Sequence, residues 1–392
     1  MKKTLATLLL TVVLLLGLGI VLLASASILQ AQKHYNGDSY AFFLLQAKWL
    51  FVAIAVGAAC CWFDYHNWKK YLPLSAIFYI FITVLLLLTL IPPLRNEING
   101  SYRWLNLKPL HIPLSFQPGE FAKLAIVIMT AVWMNSVGWR VRQFWRGAVA
   151  PAALIGMLAM LLLLEKDFGA LLVVGVLGGS LMFVAGTRLL YLACFAAPGA
   201  ALLIWKVIED PHRFSRVSDW WQVVVRNDVT NVGEAAHHLI QSMLAFKMGG
   251  LWGSGFNQSM QKQIYLPEIH TDFILAAGGE ELGFFFSLTV LLCYIVLLIC
   301  GIMISTRAPD RLGRLLAFGM ILLLAFQGMF NIAVVTGLVP TKGIALPFIS
   351  YGGTNLITAL FAVGTLYNIG LHVDVHDERM HTDVVRDAVN TI

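Results

Sequence analysis

The residue best placed to do chemistry is Asp272, which ends a polar segment spanning residues 209–272. Directly after it, at Phe273, the chain enters an apolar run. A carboxylate at the edge of an apolar layer costs several kcal/mol when it is buried without a partner, so its position there indicates a function. The chemistry that suits it is that of a general base, which takes a proton from an attacking hydroxyl group.

Other charged residues lie inside apolar runs or where such runs begin. Glu120 and Lys123 are three residues apart on the first turn of a predicted helix, so they share a face and can pair. Asp167 opens another apolar run at the same level and could complete a network with Lys123; alternatively, these charges only fix helix packing. Glu280 and Glu281 lie deeper, where they either line a polar cavity or join an interhelical hydrogen bond.

Two arginines in the polar segment suit the binding of a phosphorylated ligand. Arg213 and Arg216 could clamp a pyrophosphate, because each guanidinium offers paired donors to phosphate oxygens. They could equally pair with Asp210 and Asp219, or bind lipid headgroups. The sequence favours neither alternative.

A metal site has weaker support. His237 and His238 are adjacent and point in different directions on a helix, and three more histidines lie near the C-terminus: His372, His376 and His381. No triad with ligand spacing appears. A Mg or Mn ion that bridges Asp272 to a substrate pyrophosphate is chemically reasonable, since these ions prefer carboxylate and phosphate oxygens, but one carboxylate does not establish it. We therefore assign no cofactor and keep a divalent cation as an open alternative.

The composition shows which elements must position these residues. Of the 392 residues, 59% are hydrophobic and 12% are charged, and the mean hydropathy is +0.78. Apolar runs long enough to cross a bilayer recur along the chain, and a lipid environment requires them to be helical. The sequence therefore predicts an all-α polytopic membrane protein with about ten transmembrane helices. The predicted spans are 4–29, 41–62, 71–93, 120–137, 147–164, 168–186, 189–208, 273–305, 311–338 and 346–371.

The positive charges predict the orientation of these helices. With the N-terminus in the cytoplasm, eleven Lys and Arg residues of the short connections lie on the cytoplasmic side, against six on the other side. This predicts a protein of the cytoplasmic (inner) membrane with both termini inside and a cytoplasmic tail over residues 372–392. Residues 1–392 then form a single transmembrane domain, whose large extracytoplasmic loop, 209–272, joins the seventh and eighth helices.

Several function classes are disfavoured. No basic stripe is interleaved with exposed aromatic residues, so we expect no nucleic-acid partner. The five cysteines lie in or at the edge of apolar runs and read as packing residues. The first apolar run is longer than that of a signal peptide, so we expect it to remain as a helix.

Within the polar segment, residues 234–248 have apolar side chains at helical spacing, which predicts an amphipathic helix at the membrane interface. The predicted apolar face consists of Ala236, Leu239, Ile240, Met243 and Leu244. Four glycines follow, at 249, 250, 253 and 255. They would let the backbone approach a bulky ligand, or simply turn. A plain loop is the alternative for this region.

Four motifs, in this order along the chain, resemble the SEDS family (shape, elongation, division and sporulation). They are QPGEFAK at 117–123, PEIHTDF at 267–273, GEELG at 279–283 and PTKGIALPFISYGG at 340–353. The similarity covers essentially the whole chain except the polar tail. The PTKG string, together with SMQK at 259–262, is more similar to the division subgroup than to the elongation subgroup.

The resemblance implies a peptidoglycan glycosyltransferase that polymerises lipid II, an undecaprenyl-pyrophosphate-linked disaccharide peptide, at the outer face of the cytoplasmic membrane. It also implies a class B penicillin-binding protein and other divisome components as partners. By the family's pattern, Asp272 is the essential loop aspartate, and Glu120 and Lys123 are the charged pair of the fourth helix. Further positions that match functional motifs are Arg103, Glu268, His270 and Lys342. Two departures occur: Gly119 replaces Ser or Ala, and KDFG at 166–169 replaces Pro-Asp-Leu-Gly, which makes the role of Asp167 less secure.

The residue types fit this reaction independently. Joining sugars requires a base for the acceptor hydroxyl and cations for the departing pyrophosphate. Asp272 suits the first role. The candidates for the second are Lys123, Arg103, Arg213, Arg216 and Lys342. A single displacement inverts the α-linked donor and needs no second carboxylate.

Three other functions remain as alternatives. A flippase for the lipid-linked precursor would also use about ten helices with intramembrane charges, and Pro- or Gly-broken helices such as 340–353 occur in transporters. An elongation polymerase would perform the same chemistry. A scaffold that only recruits a synthase would give Asp272 no chemical role.

Overall fold

The computed structural model describes residues 1–26, 41–70, 72–92, 94–98, 100–106, 115–230, 233–256, 258 and 271–390. Two predicted site residues, Glu268 and His270, lie outside the described residues. The α-helices named below are α1 Lys2–Ala26, α2 Ala41–Trp62, α3 Leu72–Thr89, α4 Pro118–Val137, α5 Ala150–Leu164, α6 Phe168–Val184, α7 Leu189–Glu209, α8 Pro211–Trp220, α9 Glu234–Gly249, α10 Ile274–Arg307, α11 Arg311–Val335 and α12 Gly353–Asn390.

The apolar helices match the predicted spans in number. Within the described ranges, eight helices are long and apolar enough to cross a membrane, and Pro73–Thr89 and Phe168–Val184 are shorter apolar helices. This confirms the polytopic helical fold. The apolar stretches of α4 and α11 are 61% buried and that of α12 is 78% buried, whereas that of α7 has no buried residue. The first three therefore form the centre of the bundle, and α7 lies at its periphery.

The last predicted span, 346–371, begins later than expected. The apolar stretch ahead of α12 is a buried turn rather than a helix, with Leu346 and Phe348 in the core and Phe348 at φ 71°. Composition alone could not distinguish a buried turn from a helix start. At its other end α12 continues to Asn390, so the described part of the predicted tail is helical.

A small antiparallel sheet was not predicted. Its strands, in the order β1-β2-β3, are Arg95–Ile98, Ser101–Asn106 and Ser115–Phe116. Gly100, at φ 71°, lies in the tight turn between the first two strands. The backbone N–H of Tyr102 donates to the carbonyl of Glu165 (3.0 Å), which fixes β2 against the turn between α5 and α6. We call this side of the bundle, where α4, α6 and α10 begin, the site face.

The predicted helix at 234–248 is present as α9. It packs on the bundle: Ala236, Leu239 and Ala245 are buried, and Ser242 Oγ donates to the carbonyl of Val335 at the end of α11 (2.7 Å). Met243, which was expected on the apolar face, is exposed. The buried stripe is therefore rotated from the one predicted, because it contacts other helices.

Helix α10 is broken at Gly283, which has φ 79° and ψ −169°. The segment after α9 lies against this break and hydrogen-bonds to it. Three backbone hydrogen bonds connect the two: Ser254 N to Glu280 O (2.9 Å), Gly255 N to Glu281 O (3.1 Å) and Phe284 N to Gly250 O (2.9 Å). Non-helical backbone within an apolar bundle requires such internal partners.

The glycines at the end of α9 and directly after it, at 249, 250, 253 and 255, make this contact sterically feasible, and we call residues 249–255 the glycine segment. A Cβ atom at Gly249 would collide with the carbonyl oxygen of Gly279, and one at Gly253 with that of Glu281. The segment thus approaches the protein's own backbone. This close backbone contact within the protein explains the glycines. The sequence alone did not distinguish a turn from a ligand contact.

Candidate active site

The backbone around Asp272 is fixed by two polar side chains from neighbouring elements. Asn331 Nδ2, on α11, donates to the carbonyl of Asp272 (2.9 Å) and to that of Ile344 (2.8 Å). Ser350 Oγ donates to the carbonyl of Thr271 (2.6 Å). These bonds join the start of α10 to the turn ahead of α12. Asn331 was not singled out in the sequence, although a polar residue within an apolar run is a usable signal.

The carboxylate of Asp272 is half-buried and lies directly against Gly343. A Cβ atom at position 343 would collide with Asp272 Oδ2, so only glycine leaves the carboxylate where it is. The next residue towards the N-terminus is Lys342. The PTKG string therefore places a cation, Lys342, and a residue without a side chain, Gly343, next to the candidate base.

Lys342 shows which charges share this site. Burial lowers the pKa of its ammonium group from 10.5 to about 8; Asp167 and Asp272 oppose this shift, and Arg103 and Arg216 add to it. All four groups act on one side chain, although they come from different parts of the sequence. The structure thus brings together five of the predicted site residues.

Asp167 has a defined structural role as well. It is the N-cap of α6, where its Oδ1 accepts a hydrogen bond from the Ala170 N–H (3.2 Å), and its Oδ2 accepts one from Gln117 Nε2 (3.4 Å). Its electrostatic partner is Lys342. Among the ion pairs of the described residues, Lys123 pairs with Glu120 and not with Asp167.

The predicted pair of Glu120 and Lys123 is confirmed. Lys123 Nζ lies 2.6 Å from Glu120 Oε1, and their side chains are 2% and 11% exposed. The second carboxylate oxygen of Glu120 is buried, with no hydrogen-bond partner among the residues that the structure describes. The pair therefore carries an unused acceptor at the start of α4.

Strand β2 supplies Arg103, whose Nε donates to Ser101 Oγ (2.7 Å). Beside it lies Glu165, a buried carboxyl group that the sequence analysis did not select. Burial raises its pKa from 4.5 to about 8; the Thr89 hydrogen bond (2.5 Å) lowers it, Asp167 raises it and Arg103 lowers it. Glu165 is therefore a proton-bearing group beside the arginine.

The two arginines of α8 differ in their contacts. Arg213 forms an ion pair with Asp210 (3.3 Å), and its guanidinium carbon lies 3.6 Å from the centre of the Phe168 ring. Of the alternatives considered for Arg213, the structure thus shows the pairing with an aspartate. Arg216 is exposed and acts on Lys342 through its charge. Asp219 is buried against Gly233, and no Arg216–Asp219 pair occurs among the described ion pairs.

The two glutamates within α10, Glu280 and Glu281, make different contacts. Both carboxylate oxygens of Glu281 lie 2.7 Å from Ser25 Oγ, the donor at the end of α1. This is the interhelical hydrogen bond that was one of the two alternatives. Glu280 is buried and contributes its backbone carbonyl to the contact with the glycine segment.

These observations define a class of protein. It is a polytopic helical membrane protein that holds a half-buried carboxylate, surrounded by cations, at one face of its helix bundle. The model of the FtsW/RodA/SpoVE family, described as cell cycle protein, matches residues 6–374. The chain belongs to this family, which confirms the resemblance drawn from its motifs.

Individual relatives agree. The chain is 36% identical over 357 residues to a probable peptidoglycan glycosyltransferase FtsW of Geobacter sulfurreducens, covering 90% of this chain and 91% of that protein. It is 36% identical over 372 residues to the stage V sporulation protein E of Bacillus subtilis, covering 94% and 98%. A solved structure described as a peptidoglycan synthase complex, which coordinates polymerization and crosslinking, contains a similar chain. The TM-score is 0.72 at 25% identity, with 93% of this chain and 97% of that chain covered.

Proposed function

We propose that the protein is a peptidoglycan glycosyltransferase that polymerises lipid II into glycan strands for the septal wall. The observation that carries the proposal is the convergence of Asp272 with Lys342, Arg103 and Arg216 at the site face. The relatives named as probable glycosyltransferases support the reaction class, and the FtsW names among them support the division role over elongation.

The mechanism follows from the charges. Asp272 takes the proton of the acceptor hydroxyl while that oxygen bonds to the anomeric carbon of the donor. The bond from this carbon to the lipid pyrophosphate breaks, and the pyrophosphate leaves with the electron pair. Lys342, Arg103 and Arg216 stabilise the charge that builds on it. One displacement gives inversion, so a single base suffices.

Lipid II carries its own anchor, so its reacting groups must lie at the membrane surface. The site face, where α4, α6 and α10 begin beside polar segments, suits such a substrate. We place this face outside the cytoplasm and both termini inside, as the distribution of Lys and Arg favours. The likeness to the synthase complex that couples polymerization to crosslinking supports a class B penicillin-binding protein as the partner.

A divalent cation at this site would need ligands from the substrate. Among the described residues, no three metal-binding side chains converge around Asp272. We therefore derive no step through a cation. Dependence of polymerisation on added magnesium or manganese remains the measurement for that role.

The flippase alternative was based on the stretch 340–353, and the break in α10 would also suit it, since broken helices are a common device of transporters. Here, however, the glycine segment already occupies the freed backbone groups of the break. The break thus has a structural partner, and the observations favour the enzyme.

The test is polymerisation of lipid II by the purified protein alone, compared with Asp272→Asn. We expect the variant to lose at least about a hundredfold in rate, because the amide cannot accept the proton. Asp228→Asn is the matched control: Asp228 is exposed in the same polar segment, and this change should leave the rate unchanged. Near-normal polymerisation by Asp272→Asn would remove Asp272 from the mechanism. Transbilayer movement of lipid II with no polymer formed would support the flippase instead.

A further inference from the structure

Three metal-binding side chains converge on the face opposite the site. Asp64 and His66 lie in the connection between α2 and α3, and His372 lies on α12. Their ligand atoms all lie within 4.8 Å of one another. Because the two segments are far apart in the sequence, no local spacing pattern could have indicated this cluster.

Buried hydrogen bonds fix the position of the α2–α3 connection relative to α12. The side chain of Asn368 accepts a hydrogen bond from the Tyr65 N–H (3.1 Å) and donates one to the carbonyl of Cys61 (2.8 Å). Tyr65 is 1% exposed, and its hydroxyl donates to Asp310 Oδ1 (2.6 Å). The backbone carbonyl of Asn368 lies 2.9 Å from His372 Nδ1. One residue of α12 therefore positions both the connection and the histidine.

These contacts determine which nitrogen of His372 is available. A carbonyl only accepts, so His372 Nδ1 carries the hydrogen, and in the neutral ring Nε2 has the lone pair. This Nε2 faces Asp64 Oδ1 at 3.6 Å. His66 Nδ1 lies 2.7 Å from the same oxygen and donates a hydrogen bond to it, so a metal ion bound at Nδ1 would replace that hydrogen. A lone pair that faces a carboxylate is unfavourable, so this geometry calls for a positive species between the two atoms, either a proton on Nε2 or a metal ion.

We propose that Asp64, His66 and His372 bind a divalent transition-metal ion of the zinc type. Two imidazoles and one carboxylate suit zinc, whereas magnesium prefers oxygen ligands throughout. The side chains of the three residues are 48%, 42% and 32% exposed, respectively, which leaves an entry path and a further position for water.

The outward nitrogen of His372 supports this assignment, and that of His66 lies near a carboxylate, although beyond hydrogen-bond distance. Metal-binding histidines usually donate their other N–H to a carbonyl or carboxylate. His372 Nδ1 contacts the Asn368 carbonyl, and His66 Nε2 faces Asp310 Oδ1 at 3.9 Å. Asp310 also caps α11, where it accepts from the N–H groups of Leu312 and Gly313. The ion would therefore connect the α2–α3 connection to α12 beside the start of α11, away from Asp272.

The experiment measures zinc bound to the full-length protein, purified without a polyhistidine tag and stripped with chelator. Equilibrium dialysis against Zn²⁺ should give one equivalent per chain, and Co²⁺ should give the visible absorption of a four-coordinate site. His372→Gln and Asp64→Asn should each weaken binding at least about tenfold, and Asp310→Asn, which retains a helix cap, should also weaken it. Each variant's elution profile and melting temperature in chelator show whether it is folded.

His376→Gln is the matched control, because it removes a histidine of the same helix and leaves the three ligands intact. We expect it to bind zinc like the wild type, and zinc should raise the melting temperature of both. Absence of stoichiometric zinc binding by the wild type would overturn the proposal. So would equal binding by His372→Gln, or loss of binding in His376→Gln.

Discussion

At the scale of single residues, the candidate base depends on the absence of a side chain at its neighbour. Because a Cβ at Gly343 would collide with Asp272 Oδ2, we expect Gly343→Ala to displace the carboxylate and lower the polymerisation rate at least about tenfold. The melting temperature should change little, because Asp272 is only half-buried and can move.

Gly119→Ala is the control for this substitution. A Cβ at Gly119 would lie 3.4 Å from Asp167 Oδ2 and 3.4 Å from Leu162 Cδ2, which is ordinary contact. We expect its rate to equal that of the wild type, in line with the Ser or Ala that the family pattern has there. Wild-type activity of Gly343→Ala would show that the position of Asp272 is not critical.

The buried pair of Glu120 and Lys123 gives a prediction about stability. Replacing only one partner, with Gln or Met respectively, leaves an uncompensated charge and should cost about 3–5 kcal/mol, whereas the double replacement should cost much less. Thermal or denaturant unfolding of the four proteins in detergent forms a double-mutant cycle. If the two single losses simply add in the double variant, the residues act separately.

At the scale of elements, the contact between the glycine segment and the broken α10 should be sensitive to one methyl group. Gly249→Ala places a Cβ into the Gly279 carbonyl, so we expect the segment to separate from the break. Hydrogen exchange at the amides of Ser254, Gly255 and Phe284 should then accelerate. Gly156→Ala, where a Cβ meets nothing within 4 Å, is the control and should leave that exchange unchanged. Unchanged exchange in Gly249→Ala would mean that the contact tolerates the side chain.

The elements also show how much of the fold could be predicted from the sequence. The spans, the helix after residue 233 and the Glu120–Lys123 pair were predictable, because hydrophobic length and helical spacing act locally. The small sheet and the turn ahead of α12 were not, since both depend on contacts with distant segments: β2 on Glu165, and the turn on Asn331. Asp272 could be selected by its position, but its proximity to Lys342 follows only from the fold.

At the scale of the whole molecule, the site's charge should change near pH 8. As pH rises through about 8, Lys342 loses its positive charge and Glu165 gains a negative one, so the net charge of the site falls by two. We expect the KM for lipid II to rise above this pH, because the pyrophosphate is anionic. Glu165→Gln should remove part of that rise.

The same two groups should affect folding stability in opposite directions. Glu165 has a pKa of about 8 when folded and an ordinary value of 4.5, so the folded state holds more protons between these values, and stability falls as pH rises from 4.5 to 8. Lys342 has a folded pKa of about 8 and an ordinary value of 10.5, so the unfolded state holds more protons there, and stability rises from 8 to 10.5. Together they predict a stability minimum near pH 8. Melting temperatures measured across this range should lose the falling limb in Glu165→Gln and the rising limb in Lys342→Met. Retention of both limbs in both variants would assign the pH dependence to other groups.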